Sequence, residues 1–369
     1  MKFRTITEIN EKIAAGKAVV LTAEEVSNMA ESASPKEIFD KVDVVSTGTF
    51  GAMCSSGAFI NFGHADPPIR MESITLNEVP VFAGIAAVDA YIGATETNPQ
   101  NQKYGGAHII EALIRGEKIH LKAKGKGTDC YPRTEDERWI SKETVNELYL
   151  YNPRNAYQNY VVAVNGGERT LHTYMGRLLP RLGNAAYSTS GELSPLINDP
   201  ELRTIGIGTR IFLGGAQAYV SWRGTQFRTD KEKNARGIPL SNAATLAVTG
   251  DLKQMSHRFI RAAYIKGYGV TLFVGLGIPI PILDEEMARR VSISNRDIEV
   301  DIFDYSLPSR PHVGRTNYAE LQSGTIEVAN TKVRSNPVAS LKNARRVAEL
   351  LKRQIQDGKF ILSNPVANL

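Results

Sequence analysis

Between residues 160 and 224 the chain reads YVVAVNGGERTLHTYM (Tyr160–Met175) and then TIGIGTRIFLGGAQAYVSWRG (Thr204–Gly224). These runs are rich in β-branched and aromatic residues and are broken by glycine pairs, so they predict strands and turns. Tyr160–Val164 reads as a strand turning at Asn165-Gly166-Gly167, with Glu168–Met175 as the second arm of a hairpin. Thr204–Leu213 and Ala218–Trp222 read as two more strands, closed by Gly214-Gly215 and Gly224.

Outside this block, helices and strands alternate. Thr7–Ile13 leads to a stop at Gly16, and Thr22-Ala23-Glu24-Glu25 has the spacing of a capping box. Val42–Thr47 reads as a strand, Ala107–Arg115 as a helix ending at Gly116, and Ile119–Ala123 as a strand. The periodicity predicts helices over Asp136–Tyr149, Leu252–Ala263 and Asp284–Val291, and a buried strand over Tyr268–Val274. The last element, Ser340–Asp357, opens after Pro337 and ends at Gly358, with Val347, Leu350, Leu351 and Ile355 on one face. Early alternation followed by clustered strands predicts a mixed α/β (α+β) fold. We expect a single large domain over residues 1–369, with a mixed sheet, flanking helices and a C-terminal helix; no linker divides the chain.

Composition narrows the function. A chain that is 42% hydrophobic and 22% charged has material for a sizeable core. The apolar stretches Val81–Ile92 and Val270–Leu283 are too short and too interrupted to span a bilayer, and the N-terminal residues lack a secretory apolar core. A cytoplasmic protein without membrane contact is expected. The most basic stretch, Leu121–Gly127, has no interleaved aromatics, which argues against nucleic acid as partner. The histidines show no metal-ligand spacing, and Gly206-Ile207-Gly208 lacks the third glycine of a dinucleotide loop, so neither a metal nor a nucleotide is expected.

The two cysteines, Cys54 and Cys130, are too few for a disulfide framework. Cys54 follows a strand inside Gly48-Thr49-Phe50-Gly51-Ala52-Met53-Cys54-Ser55-Ser56-Gly57, where small residues admit a ligand and loop N–H groups favour a thiolate. A buried thiol in a tight turn accounts for it equally. Cys130 sits in a polar loop among Lys124, Lys126 and Arg133, which favour thiolate; an incidental loop cysteine is the alternative. His64 is a candidate acid or base on a carbonyl oxygen, and Arg70, Arg210 and Arg228 are candidate carboxylate binders. Each of these four also reads as an ordinary turn or surface residue.

The opening Thr5–Ile13 with Gly16–Val20, the block Val44–Gly57 around Cys54, and Ile205–Gly215 together resemble the archaeal and anaerobic-bacterial homocysteine biosynthesis protein family. The resemblance spans nearly the whole chain. It implies L-aspartate semialdehyde sulfurtransferase activity, with sulfide or a persulfide as sulfur donor, Cys54 as the central cysteine and Cys130 as a second one. It also implies an external reductant and a small ferredoxin-like partner. The CBS pair that follows this region in some relatives is not expected here. An iron–sulfur cluster would need ligands beyond two cysteines, and a homo-oligomer is compatible with everything in the sequence. The expected chemistry is a Cys54 persulfide whose outer sulfur attacks the aldehyde. Cys130 then attacks the inner sulfur to close a Cys54–Cys130 disulfide, and external reductant completes the reaction. A non-catalytic persulfide carrier serving a partner enzyme is the competing reading.

Overall fold

The computed structural model describes residues 3–369. Its architecture is mixed α/β with a C-terminal helix, as the sequence predicts. The largest sheet has nine strands. In spatial order they are Ile260–Ile265, Gly269–Gly277, Arg210–Leu213, Ala216–Arg223, Leu246–Asp251, Glu147–Asn155, Gly57–Asn61 and Asp89–Gly93, with Thr49–Ala52 pairing off this path with Gly269–Gly277. Every pairing in it is antiparallel. A six-stranded sheet runs from His312–Asn317 to Thr325–Val328 and contains two parallel pairs. Smaller sheets complete the chain. Among the described residues no helix is long and apolar enough to cross a membrane.

Local signals place most of the helices. Thr5, Thr22 and Ser34 each close a capping box with the glutamate three residues on, and Asp284 and Ser340 accept the N–H groups of Met287 and Asn343. The final helix, Leu341–Gln356, buries Ala344, Val347, Ala348, Leu351 and Ile355, the face its periodicity predicts. It lies so close to the chain entering Thr49–Ala52 that a Cβ on Gly48 would meet the Ala344 carbonyl oxygen at 2.3 Å. The Ser46 hydroxyl donates to the Ala348 carbonyl at 2.7 Å across the same contact. The helix therefore braces the strand that leads to Cys54.

Three expectations fail, each because tertiary pairing outweighs local pattern. Asp136–Tyr149 is not a helix. Glu135–Ile140 pairs antiparallel with Ile119–Lys124, and Glu147–Asn155 is a central strand of the large sheet. Leu252–Ala263 contains one 3-10 turn capped by Asp251 and then the edge strand Ile260–Ile265. There the buried Glu111 carboxylate accepts the Ala262 N–H at 2.7 Å, holding the edge in extended form. The hairpin expected after Asn165-Gly166-Gly167 does not form either. Val162–Val164 pairs with Ala185–Tyr187 and Glu299–Asp304, while Leu171–Thr173 turns back on Gly176–Leu178.

Leu351 is fully buried against the sheet. Leu351→Ala should cost about 2–5 kcal/mol of stability, read as a lower midpoint in urea unfolding followed by circular dichroism. A loss below ~1 kcal/mol would show that the helix is not what braces this region.

Candidate active site

The strand Thr49–Ala52 ends in a tight turn in which the Ser56 N–H donates to the Met53 carbonyl at 3.0 Å, leaving Cys54 and Ser55 at its corner. Small residues are required on its far side. A Cβ on Gly57 would meet the Tyr91 hydroxyl at 2.1 Å and the Ile92 carbonyl at 2.7 Å. The turn is pinned from below by Asn152, which is fully buried on the central strand. Its Nδ2 donates to the Ser56 hydroxyl at 2.8 Å, and its Oδ1 accepts from the Arg154 N–H at 2.9 Å and from the Ser55 hydroxyl at 3.4 Å. Met53 is tied to the neighbouring strand through its N–H and the Leu272 carbonyl, 2.7 Å apart.

Cys54 is half-buried, and it lines a cavity of about 70 Å³ walled by Tyr157, Tyr160, Tyr174, Met175, Ser188, Tyr268 and Thr271. Two hairpin tips close over it. One carries Tyr174 and Met175, between Leu171–Thr173 and Gly176–Leu178. The other carries Tyr268, between Ile260–Ile265 and Gly269–Gly277. The tips touch, since a Cβ on Gly267 would meet the Cβ of His172 at 2.6 Å. The rings form a continuous cluster: Tyr157 and Tyr160 have centroids 4.8 Å apart, Tyr160 and Tyr174 6.3 Å, and Tyr174 and Tyr268 6.5 Å. Behind them the Tyr174 and Tyr305 hydroxyls are 2.9 Å apart.

Tyr268 and Cys54 share the wall of the cavity. Burial first, and then interaction with the neighbouring Cys54 sulfur, push the Tyr268 phenol upward against the opposing pull of Arg154. Burial likewise pushes Tyr157 up to about 12, with Arg154 again opposing. Tyr160 is driven upward chiefly by burial. These phenols stay protonated across the neutral range, so they serve as hydrogen-bond donors to a sulfur anion or a developing oxyanion.

The sequence-predicted candidates do not converge. Cys54 alone lines the cavity. Cys130 is exposed in the loop between Ile119–Lys124 and Glu135–Ile140. That loop docks on residues 68–72 through the Arg133 N–H to the Pro68 carbonyl and the Glu72 N–H to the Lys124 carbonyl. Residues 62–72, with exposed His64 and Arg70, follow the Asn61 end of Gly57–Asn61, whereas Cys54 precedes its Gly57 end. The five residues of that strand extend roughly 13 Å. Both thiols are free, Cys54 half-buried on the cavity wall and Cys130 exposed in its loop. Arg210 donates to the Ile361 carbonyl at 2.9 Å and secures the C-terminal segment. Arg228 is exposed and paired with Asp230 at 2.7 Å. Sequence reasoning missed the tyrosines, Thr271 and Arg154. Their only local trace is the density of tyrosines between residues 149 and 174.

A family model described as "Homocysteine biosynthesis enzyme, sulfur-incorporation" matches residues 18–362. The chain belongs to this family. It is 50% identical to an L-aspartate semialdehyde sulfurtransferase of Methanocaldococcus jannaschii, over 100% of this chain and 74% of the relative. It is 47% identical to a protein of the same name from Methanosarcina acetivorans, over 99% of this chain and 72% of the relative. A third relative, from Methanothermobacter thermautotrophicus, is 27% identical over 93% of this chain and 77% of the relative. No solved structure matches the chain. For a sulfur-incorporation enzyme, a cysteine under phenolic donors is a chemically apt centre: the thiolate accepts or delivers sulfur, and the phenols stabilise charge on sulfur or oxygen.

Two measurements test this arrangement. Asn152→Leu leaves the Ser56 hydroxyl and the Arg154 N–H without their partner, so it should cost about 1–3 kcal/mol and lower sulfur-transfer activity together with stability. Unchanged stability and rate would remove Asn152 as the anchor of the turn. The pH dependence follows from Tyr157, whose folded value of about 12 exceeds its ordinary 10.0. The stabilisation linked to it is intact below pH 10 and is lost as pH rises from 10 towards 12. Chemical unfolding across that window, with phenolate absorbance as second readout, should show the decline in the wild type and a smaller one in Tyr157→Phe.

Proposed function

We propose that this protein is an L-aspartate semialdehyde sulfurtransferase that forms homocysteine, with Cys54 as the residue that carries sulfur. The observation that supports this most is the placement of Cys54 alone among the two cysteines on the cavity wall, in a chain half identical to enzymes of that name. An aldehyde carbon must gain sulfur and lose oxygen. With sulfane sulfur from a persulfide donor, the Cys54 thiolate attacks the donor's outer sulfur, forms an S–S bond and releases the donor thiol. The Cys54 persulfide then attacks the aldehyde carbon, and the oxygen takes a proton. Two electrons and two protons from an external thiol reductant cleave the S–S bond, returning Cys54 and releasing the adduct. Loss of water, and two further electrons and two protons from a second equivalent of the same external thiol reductant, which leaves as its disulfide, give the thiol. The sum is one sulfur, one aldehyde, four electrons and four protons to one thiol and one water.

Tyr268 suits both halves of this sequence, donating to the Cys54 thiolate before transfer and to charge on sulfur or oxygen during it. An enclosed sulfur also favours a small substrate over hand-off to a protein, since a carrier's persulfide must reach outward. The Cys130 expectation enters as a separate arm of the test. In the position observed, an external thiol replaces its attack on the Cys54 persulfide.

Purified protein under anaerobic conditions, given aspartate semialdehyde, a sulfur donor and a dithiol, should form homocysteine. Cys54→Ala should form none, a loss of more than about 10³-fold in line with removal of a nucleophile. Cys130→Ser should keep most of the turnover with dithiol present; loss of turnover would show that its loop moves to Cys54. Equal homocysteine from wild type and Cys54→Ala would sink the assignment.

A further inference from the structure

Two groups beside the Cys54 cavity lack the partners their chemistry calls for. The Thr271 side chain lines the cavity and is fully buried, yet its hydroxyl has no hydrogen-bond partner. Buried hydroxyls are otherwise paired, so an unpaired one on a cavity wall marks a place for a ligand atom. It lies next to the reacting sulfur in the fold, because the following residue, Leu272, accepts the Met53 N–H. Arg154 is the second group. It is half-buried, its backbone N–H is held by Asn152, and among the described residues no carboxylate pairs with it. The Asn152 Oδ1 that accepts its backbone N–H also accepts the Ser55 hydroxyl, which sets Arg154 beside the Cys54 turn, and its charge opposes the upward shift of both Tyr157 and Tyr268.

We propose that Arg154 and Thr271 form the substrate recognition subsite: Arg154 binds the α-carboxylate of a short amino-acid aldehyde, and the Thr271 hydroxyl donates to its aldehyde oxygen. This rests on the sulfurtransferase reading above and adds the residues that select the substrate. The division of labour follows from position. The hydroxyl beside the Met53–Ser56 turn serves the carbon that Cys54 must reach, and the unpaired cation beside the same turn meets the charged end. A guanidinium offers two parallel donors to a carboxylate, which a lysine cannot match, and the link from the Arg154 backbone N–H through Asn152 to the Ser55 and Ser56 hydroxyls keeps the two ends in register. The arginines that secure the C-terminal segment or pair with Asp230 are committed elsewhere.

Steady-state kinetics separate the two roles. Arg154→Gln should raise KM for aspartate semialdehyde by at least about tenfold with a much smaller change in kcat, and Arg154→Lys should recover part of the loss. The wild-type preference for aspartate semialdehyde over butanal, which lacks the carboxylate, should shrink by a similar factor. Thr271→Val should lower kcat more than it raises KM, and Thr271→Ser should restore it. An unchanged KM and preference in Arg154→Gln would overturn the carboxylate role, and an unchanged kcat in Thr271→Val the aldehyde role. Calorimetric binding of aspartate semialdehyde to Cys54→Ala protein needs no turnover. Affinity weakened about tenfold by adding Arg154→Gln supports the subsite even if no homocysteine forms, an outcome that would fault only the sulfurtransferase reading. Equal affinity with and without Arg154 overturns the subsite whatever the activity.

Discussion

The carboxamide of Asn152 is the point on which the site depends. It sits without solvent exposure on a central strand and bonds both serines of the Cys54 turn and the backbone of Arg154. One rigid planar group thus ties the turn that carries the nucleophile to the strand that carries the cation. An amide suits this position because it donates and accepts at once and carries no charge to neutralise. The strand register makes the arrangement possible: Tyr151 pairs with Gly57 on one side and with Thr249 on the other, and the irregularity between Asn152 and Asn155 turns the chain towards the cavity.

Around this anchor the protein builds an environment of phenols rather than formal charges. Tyr157, Tyr160, Tyr174 and Tyr268 come from three separate stretches, and two of them sit at hairpin tips. Burial raises those phenols whose shift is resolved, so they donate without ionising at neutral pH. Such a wall suits sulfur. The rings pack against a soft, polarisable atom, and the hydroxyls stabilise a thiolate or persulfide without the strong field of a metal. The cost is a dependence on the hairpin tips staying closed, which the contact between Gly267 and His172 supports.

Several features were legible in the residues alone. The capping boxes at Thr5 and Thr22, the helix stop at Gly16 and the amphipathic face of Leu341–Gln356 are local signals, and the structure keeps them because no long-range pairing competes. Asp136–Tyr149 and Leu252–Ala263 misled because their apolar spacing satisfies a helix as well as a strand. What fixed them as strands was a partner more distant in the chain, such as Asn61 for Glu147 or Val274 for Ile260. The same limit applied to the candidate arginines. Arg210 and Arg154 look alike in sequence, and only the fold shows that one serves the C-terminal segment while the other stands beside the Cys54 turn with no carboxylate partner among the described residues.

The sequence by itself determined the mixed α/β class, the family, and the strand-to-small-residue turn that presents Cys54. These rest on residues adjacent in the chain, where glycine, serine and β-branched preferences act over a few bonds. Which groups surround that cysteine was decided only by tertiary structure. Tyr157, Tyr268, Thr271 and Asn152 lie 98 to 217 positions from it, and antiparallel register across a nine-stranded sheet is what brings them together. The two cysteines make the same point in reverse. Nothing in the sequence distinguished them, but the fold sets Cys54 on the cavity wall and Cys130 in an exposed loop docked on residues 68–72.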